Sequence, residues 1–473
     1  MFLTETIKKT KMKKIFVLFS LLAISRFAYA QSDHGMGLEF DYDEAVRVPR
    51  QAQMLTRGYD RLPSSVSLRQ YCPTPQSQGR YNTCTAWATT YAAMTIAYAV
   101  ANNWSRSQID SETFAPWYTY YMIKDKSNPL STNCKLGTYI SRAGNLMLND
   151  GVPKKRDYDR ECASYAPGNN YRKYKIDCFK SLFVVHPQMV STIDNANIQS
   201  IKMALANSHP VIIGARSFPS IHQAKERWIV GNETCSSYHA MCIVGYDDYK
   251  FGGAFLIQNS WGTWWGDGGY TWLTYNDCKK AVYEAYEIYV KPQSYNISRP
   301  NSLSGTLRLQ LSTGEEMRGT LGANGVYKIS GEYISGTRYR IYISNNEPAY
   351  VYVIGSDLMN NVSKVFPPND RISPALTYKS NNIAIPDENW FVQMDNTVGK
   401  DYVCVLYSSE ELDINSIINK IRSGYGSFPE KVSAALSGKI VPASDVRFSQ
   451  NSISFSASTN KSVVALIAEV VHK

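Results

Sequence analysis

The stretch TCTAWATTYAAMTIAYAVANN, residues 83–103, limits what this chain can fold into. It reads as one helix, with Thr83 or Asn82 as its N-cap and the Asn pair at 102–103 as its exit. Its residues are small or apolar nearly all round, so it has no face suited to water and must be enclosed by other elements. The helix also begins on a cysteine. At a first turn the unpaired N–H groups and the helix dipole favour a thiolate, which they would not do in mid-helix.

Further helical patterns cover about 137–149 and NIQSIKMALANSHP, the second followed by the apolar strand PVIIGARS. From residue 238 the pattern changes to short strands: YHAMCIVGYDD, GGAFLIQNSWG, GGYTWLTY and YEAYEIYV. Helices early and strands late predict an α+β fold, not the alternation of a doubly wound sheet. KPQSYNISRPNSLSG then reads as a linker, and period-two segments such as RYRIYIS and DYVCVLYS mark a β-rich second domain. Within it Ile414, Ile417, Ile418 and Ile421 form one helical face behind Asp413 as cap.

The N-terminus carries KKTKMKK, an apolar run IFVLFSLLAIS and the small-residue end RFAYA, the three parts of a secretory signal. The run is too short for a membrane span, which needs about 20 apolar residues. The expected organisation is therefore a signal peptide at 1–30, a short leader at 31–62, an α+β domain at 63–292, a linker at 293–305 and the β-rich domain at 306–473. The mature chain is expected outside the cytoplasm, in the periplasm, on the surface or in the medium. Residues 1–30 hold six Lys or Arg and one Glu, so their loss lowers the formal net charge from +10 to +5. That mild excess gives no reason to expect a nucleic-acid partner.

Nine cysteines in an exported chain invite disulfides. Cys404 and Cys242 lie in strand-like apolar runs and read as buried thiols. With Cys84 free, Cys72, Cys134, Cys162, Cys178, Cys235 and Cys278 remain, enough for three bridges of unspecified pairing.

A nucleophilic thiol needs a base, a group that orients the base, and donors for the oxyanion. Of six histidines, His34 and His472 lie near the termini, His186 and His209 precede proline, and His222 sits in a polar stretch. His239 opens a buried strand and is the best base. Asn259, at the end of the apolar run AFLIQ, can accept the second imidazole N–H, and Trp261 can shield that bond. Gln78, six residues before Cys84, can donate to an oxyanion together with the Cys84 N–H. No HExxH, CxxC or GxSxG pattern occurs, and GYDDYKFGG lacks the spacing of a calcium loop, so no metal or cofactor is expected.

PQSQGRYNTCTAWA, SYHAMCIVGYDDY and FLIQNSWGTWWGDGGYTWL, in that order, resemble the papain-like cysteine peptidases over about residues 62–290. The resemblance implies a two-lobe fold, one lobe helical and one barrel-like. It also implies that Cys84 is nucleophile, His239 base, Asn259 its orienter and Gln78 the oxyanion donor, starting from a thiolate–imidazolium pair. Gly137, Trp261 and Tyr238 would bind substrate, a protein or peptide. A peptide-binding pseudo-enzyme and an acyl transferase using the same thiol remain as alternatives. The sequence departs from the family pattern at Tyr81, where a cysteine is usual, at Thr85, where tryptophan is usual, and in NCKLGTY, which lacks paired glycines. The leader is too short for the family's helical propeptide, so any latency is expected to arise elsewhere. Residues 340–425 resemble an uncharacterised bacterial β-rich domain. A binding or positioning role is expected for it, toward substrate, envelope or a partner.

Overall fold

The computed structural model describes residues 34–52, 62–189, 192–292, 301–357, 361–379 and 381–473. The signal peptide and most of the expected linker lie outside them. The strand Asn301–Leu311 begins within the stretch read as linker.

The helix on Cys84 is enclosed, as its composition demands. It runs α-helical over Cys84–Ala86, widens to a π-helical pitch over Trp87–Met94, and returns to α over Thr95–Asn102. Every residue from Thr83 to Ala99 is buried. Asn103 ends it in a left-handed conformation (φ 48°), with its N–H turned back to the Ala99 carbonyl. Around it pack the helices Arg106–Ser111, Pro116–Ile123 and Ile140–Asn149, which complete a helical lobe. Periodicity failed to show the first two. One is short and polar, and the other, PWYTYYMI, is apolar on all sides.

The second lobe is a curled sheet in the order Cys178–Val184, Val282–Tyr289, Val211–Ser217, Ser237–Asp247, Ala254–Gln258, Tyr270–Thr274 and Arg227–Trp228. Its central strands are antiparallel and buried on both faces, which explains their continuous apolar runs. The helix Asn195–Ala206 covers one side, capped by Asp194.

The C-terminal domain is a sandwich. One sheet contains Ala349–Ser356, Gly399–Ser408 and Val463–His472; the other contains Asn301–Leu311, Arg338–Asn345 and Ser454–Thr459. Inward residues such as Leu309, Ile343, Val405 and Leu466 make the core between them. The helix Ile414–Ser423 lies outside, its four isoleucines on Tyr352, Ile354, Cys404 and Leu406, and Asp413 caps it as the sequence predicts.

The cysteines correct one expectation. Only Cys134 and Cys162 are bridged; Cys72, Cys178, Cys235 and Cys278 are free. Cys72, Cys178 and Cys278 are buried, where a free thiol behaves as a small apolar residue.

Glu284, on the strand Val282–Tyr289, is buried and makes no ion pair among the described residues. Its Oε2 accepts a 2.6 Å bond from the Tyr286 hydroxyl, and the Tyr283 hydroxyl also favours its charged form. Burial raises its pKa to about 8. A carboxyl raised on folding stabilises most below its unfolded pKa, and that contribution is lost as pH rises toward 8. Glu284→Gln is therefore expected to raise stability by about 1–3 kcal/mol at pH 8 and little at pH 4. Thermal unfolding at the two pH values checks this; a destabilisation at both would contradict it.

Candidate active site

The site forms where the two lobes meet. Cys84 comes from the helical lobe, at the first helical position after Thr83. Across the junction, His239 and Ala240 lie on the strand Ser237–Asp247, and the Ala240 N–H points at Cys84 Sγ (3.4 Å). His239 Nε2 lies 2.8 Å from Asn259 Oδ1. The same oxygen accepts the Ser260 backbone N–H at 2.8 Å, so it is an acceptor and His239 Nε2 must be the donor. That leaves Nδ1 unprotonated, buried and without a hydrogen-bond partner, available to take a proton. The Trp261 ring lies 4.9 Å from the imidazole.

Gln78 is fixed from the same side. Its backbone N–H bonds to the Ser260 carbonyl (2.8 Å), and its Oε1 accepts the Ser260 hydroxyl (2.6 Å). With the amide oxygen so held, Nε2 faces the cleft. Ser260 was not anticipated as a positioning residue. Its only sequence signal is that it follows Asn259 directly.

The cleft is not empty. Residues 34–39 of the leader cross it as an extended strap. The Gly35 carbonyl accepts Gln78 Nε2 (2.9 Å) and Trp261 Nε1 (3.3 Å), and Gly35 N–H donates to the Gly79 carbonyl (3.1 Å). The His34 ring stacks on Trp261 at 4.8 Å. The Met36 carbonyl lies 3.3 Å from Gln78 Nε2. Beyond it Thr138 N–H donates to the Gly37 carbonyl, Glu39 N–H to the Thr138 carbonyl, and Leu38 N–H to the Tyr238 carbonyl. Gly137 faces the Glu39 side chain, so closely that a Cβ there would meet its carboxylate at 2.5 Å. Gly137, Trp261 and Tyr238 therefore all lie against the strap. The leader forms no helical propeptide domain over this cleft, as its length led us to expect; its residues 34–39 lie along the cleft without helix, and an extended segment spans such a distance with far fewer residues than a helical domain.

Burial also bears on the protonation state, since Cys84 and His239 are both fully buried. Burial pushes the thiol up to about 12 and the imidazole down to about 4, although Asn259 works against the second shift. Such burial favours the neutral thiol and the neutral imidazole over the thiolate–imidazolium pair that the family resemblance implies. His222 and His34 adjoin the same indole and would disfavour a charged His239 further; proximity to the terminus and a polar setting hid both.

Residues 62–290 match the model of the papain family cysteine protease, and residues 332–411 match a domain of unknown function, DUF4384. The two-lobed segment belongs to the papain family of cysteine proteases. Among curated relatives, a cysteine protease of Blomia tropicalis is 22% identical over 263 residues, 54% of this chain and 72% of that protein. Peptidase 1 of Dermatophagoides pteronyssinus is 35% identical over 85 residues, 17% of this chain and 27% of that protein. Among solved structures, xylellain, a cysteine protease from Xylella fastidiosa, is 21% identical with a TM-score of 0.44, covering 55% of this chain and 97% of that chain. Among the described residues no helix is long and apolar enough to cross a membrane.

Proposed function

We propose that this chain is an exported thiol peptidase held latent by its own leader. The observation that carries this reading is the bond from Gln78 Nε2 to the Gly35 carbonyl, beside Cys84 and an oriented His239. An amide carbonyl is the group an acyl substrate presents, so the donor is already engaged with a substrate-like acceptor.

With the strap displaced, solvent lowers the cost of charge at Cys84, and His239 Nδ1 takes its proton. The helix N-terminus and the Ala240 N–H stabilise the thiolate. The thiolate attacks the peptide carbonyl, and the developing oxyanion is held by Gln78 Nε2 and the Cys84 N–H. His239 then protonates the leaving amine, giving a thioester that water cleaves after His239 removes its proton. Asn259 keeps the imidazole in the required tautomer throughout. Proteins or peptides are the substrates, and the signal-like N-terminal pattern supports a reaction outside the cytoplasm.

The test is product analysis in ¹⁸O-labelled water, using strap-released chain, a mixed peptide substrate and an added amine acceptor. Hydrolysis places ¹⁸O in each new C-terminal carboxyl. Amide products would mean acyl transfer instead, and an unchanged substrate would overturn the enzymatic reading.

A further inference from the structure

We propose that the C-terminal domain acts as a clamp, whose binding partner is the leader of its own chain. The proposal rests on the reading of residues 34–39 as the block over Cys84.

Past the cleft the leader makes the short helix Tyr42–Ala45, capped by Asp41. Glu44 ties this helix to the helical lobe through Arg142 (2.9 Å) and Ser141 (2.6 Å). From Pro49 the leader is extended again and enters the seam between the two domains. Toward the catalytic domain, Ser181 N–H donates to the Pro49 carbonyl (3.0 Å) and Gln51 N–H to the Ser181 carbonyl (2.9 Å). Toward the C-terminal domain, Arg50 N–H donates to the Arg371 carbonyl (2.6 Å), and Ser373 N–H to the Arg50 carbonyl (2.9 Å). The leader is thus a strand with one edge on each domain. Next in line, Ala52 is 2% exposed and packs within the C-terminal domain's own apolar core.

A buried charge locks the seam. Lys180, 1% exposed, forms an ion pair with Glu287 (3.0 Å). It donates to Thr377 Oγ1 (2.8 Å) and the Ala375 carbonyl (3.0 Å) of the C-terminal domain, and to Gln51 Oε1 of the leader. Glu287 in turn accepts the Tyr378 hydroxyl (2.7 Å) and lies 3.0 Å from His209 Nδ1. A lysine out of water needs its donors satisfied, and here they are shared among all three parts. Release of the leader strips Gln51 from Lys180 and both Arg50 bonds from the C-terminal domain. The domain therefore resists opening of a cleft built by the two lobes, and this gives the β-rich appendage a role within the chain.

The test uses the full mature chain and reads iodoacetamide labelling of Cys84 by peptide mass spectrometry, which needs no substrate. Ala52→Asp puts a carboxylate into the apolar seat, and Gln51→Ala removes the leader's hold on Lys180. Both residues sit at the seam between the domains. Labelling at least threefold faster than in the parent chain is expected for both, and faster for Ala52→Asp. Circular dichroism melts show whether each variant is folded; should Ala52→Asp fail to fold, Gln51→Ala decides. Labelling at the parental rate in the folded variants overturns the clamp. The reading of the strap itself is checked separately: Gly35→Ala must speed labelling whatever the clamp variants do.

Discussion

Cys84→Ala abolishes peptide hydrolysis, with an expected loss of at least about 10⁴-fold in kcat, because no other group can form the acyl intermediate. The substitution removes one buried sulfur from the start of a well-packed helix and leaves Thr83, the helix dipole and the strap contacts in place. Binding should therefore survive while turnover does not. His239→Ala is expected to fall nearly as far, since nucleophile and base act as a unit and their losses do not add. Hydrolysis assays on strap-released protein, with substrate affinity measured in parallel, check both. Residual turnover within tenfold of the parent would remove Cys84 from the mechanism.

Gly35→Ala should convert the latent chain into one that is partly open. A Cβ at Gly35 would lie 1.9 Å from the Tyr81 carbonyl oxygen, and that neighbour is backbone that cannot swing aside. Gly35 is not among the residues with a left-handed backbone, so alanine has no conformational objection of its own and acts by collision alone. Overpacking of this kind costs about 1–3 kcal/mol. If that cost falls on the closed form, the open fraction rises roughly 5- to 150-fold, and hydrolysis and Cys84 labelling rise with it. Gly37→Ala should do at least as much, because its Cβ would meet the Asn82 carbonyl oxygen at 2.3 Å and its φ of 109° suits glycine alone. Activity equal to that of the parent in both variants would mean that the strap does not limit access.

The residues that meet at the candidate site were legible as candidates because the chemistry proposed for them calls for a particular local setting. A thiol at the head of an all-round apolar helix, and a histidine and an asparagine at the ends of buried strands, each carry a one-dimensional signature. The lobes were legible for a similar reason, since strands buried on both faces read as unbroken apolar runs. What the sequence concealed was long-range. HGMG reads as a polar, glycine-containing leader, and nothing in its period reveals that Gly35 and Gly37 are small because the backbone at Tyr81 and Asn82 lies against them. Lys180 looks like a routine charge in CFKSLFV until folding surrounds it with Glu287, Gln51 and Thr377. The cysteine count suggested more bridges than exist, because free thiols in a core are indistinguishable in sequence from paired ones.

The central claim is that Cys84 and His239 form a reactive pair that the strap keeps neutral. The most direct measurement is the pH dependence of Cys84 alkylation in the parent chain, in Gly35→Ala, and in Gly35→Ala combined with His239→Ala. The account predicts slow labelling in the parent at every pH. In Gly35→Ala, labelling should be fast and persist well below pH 7, and that acid limb should vanish when His239 is also replaced. Labelling of Gly35→Ala that appears only near the ordinary thiol pKa of about 8.5, with or without His239, would contradict it.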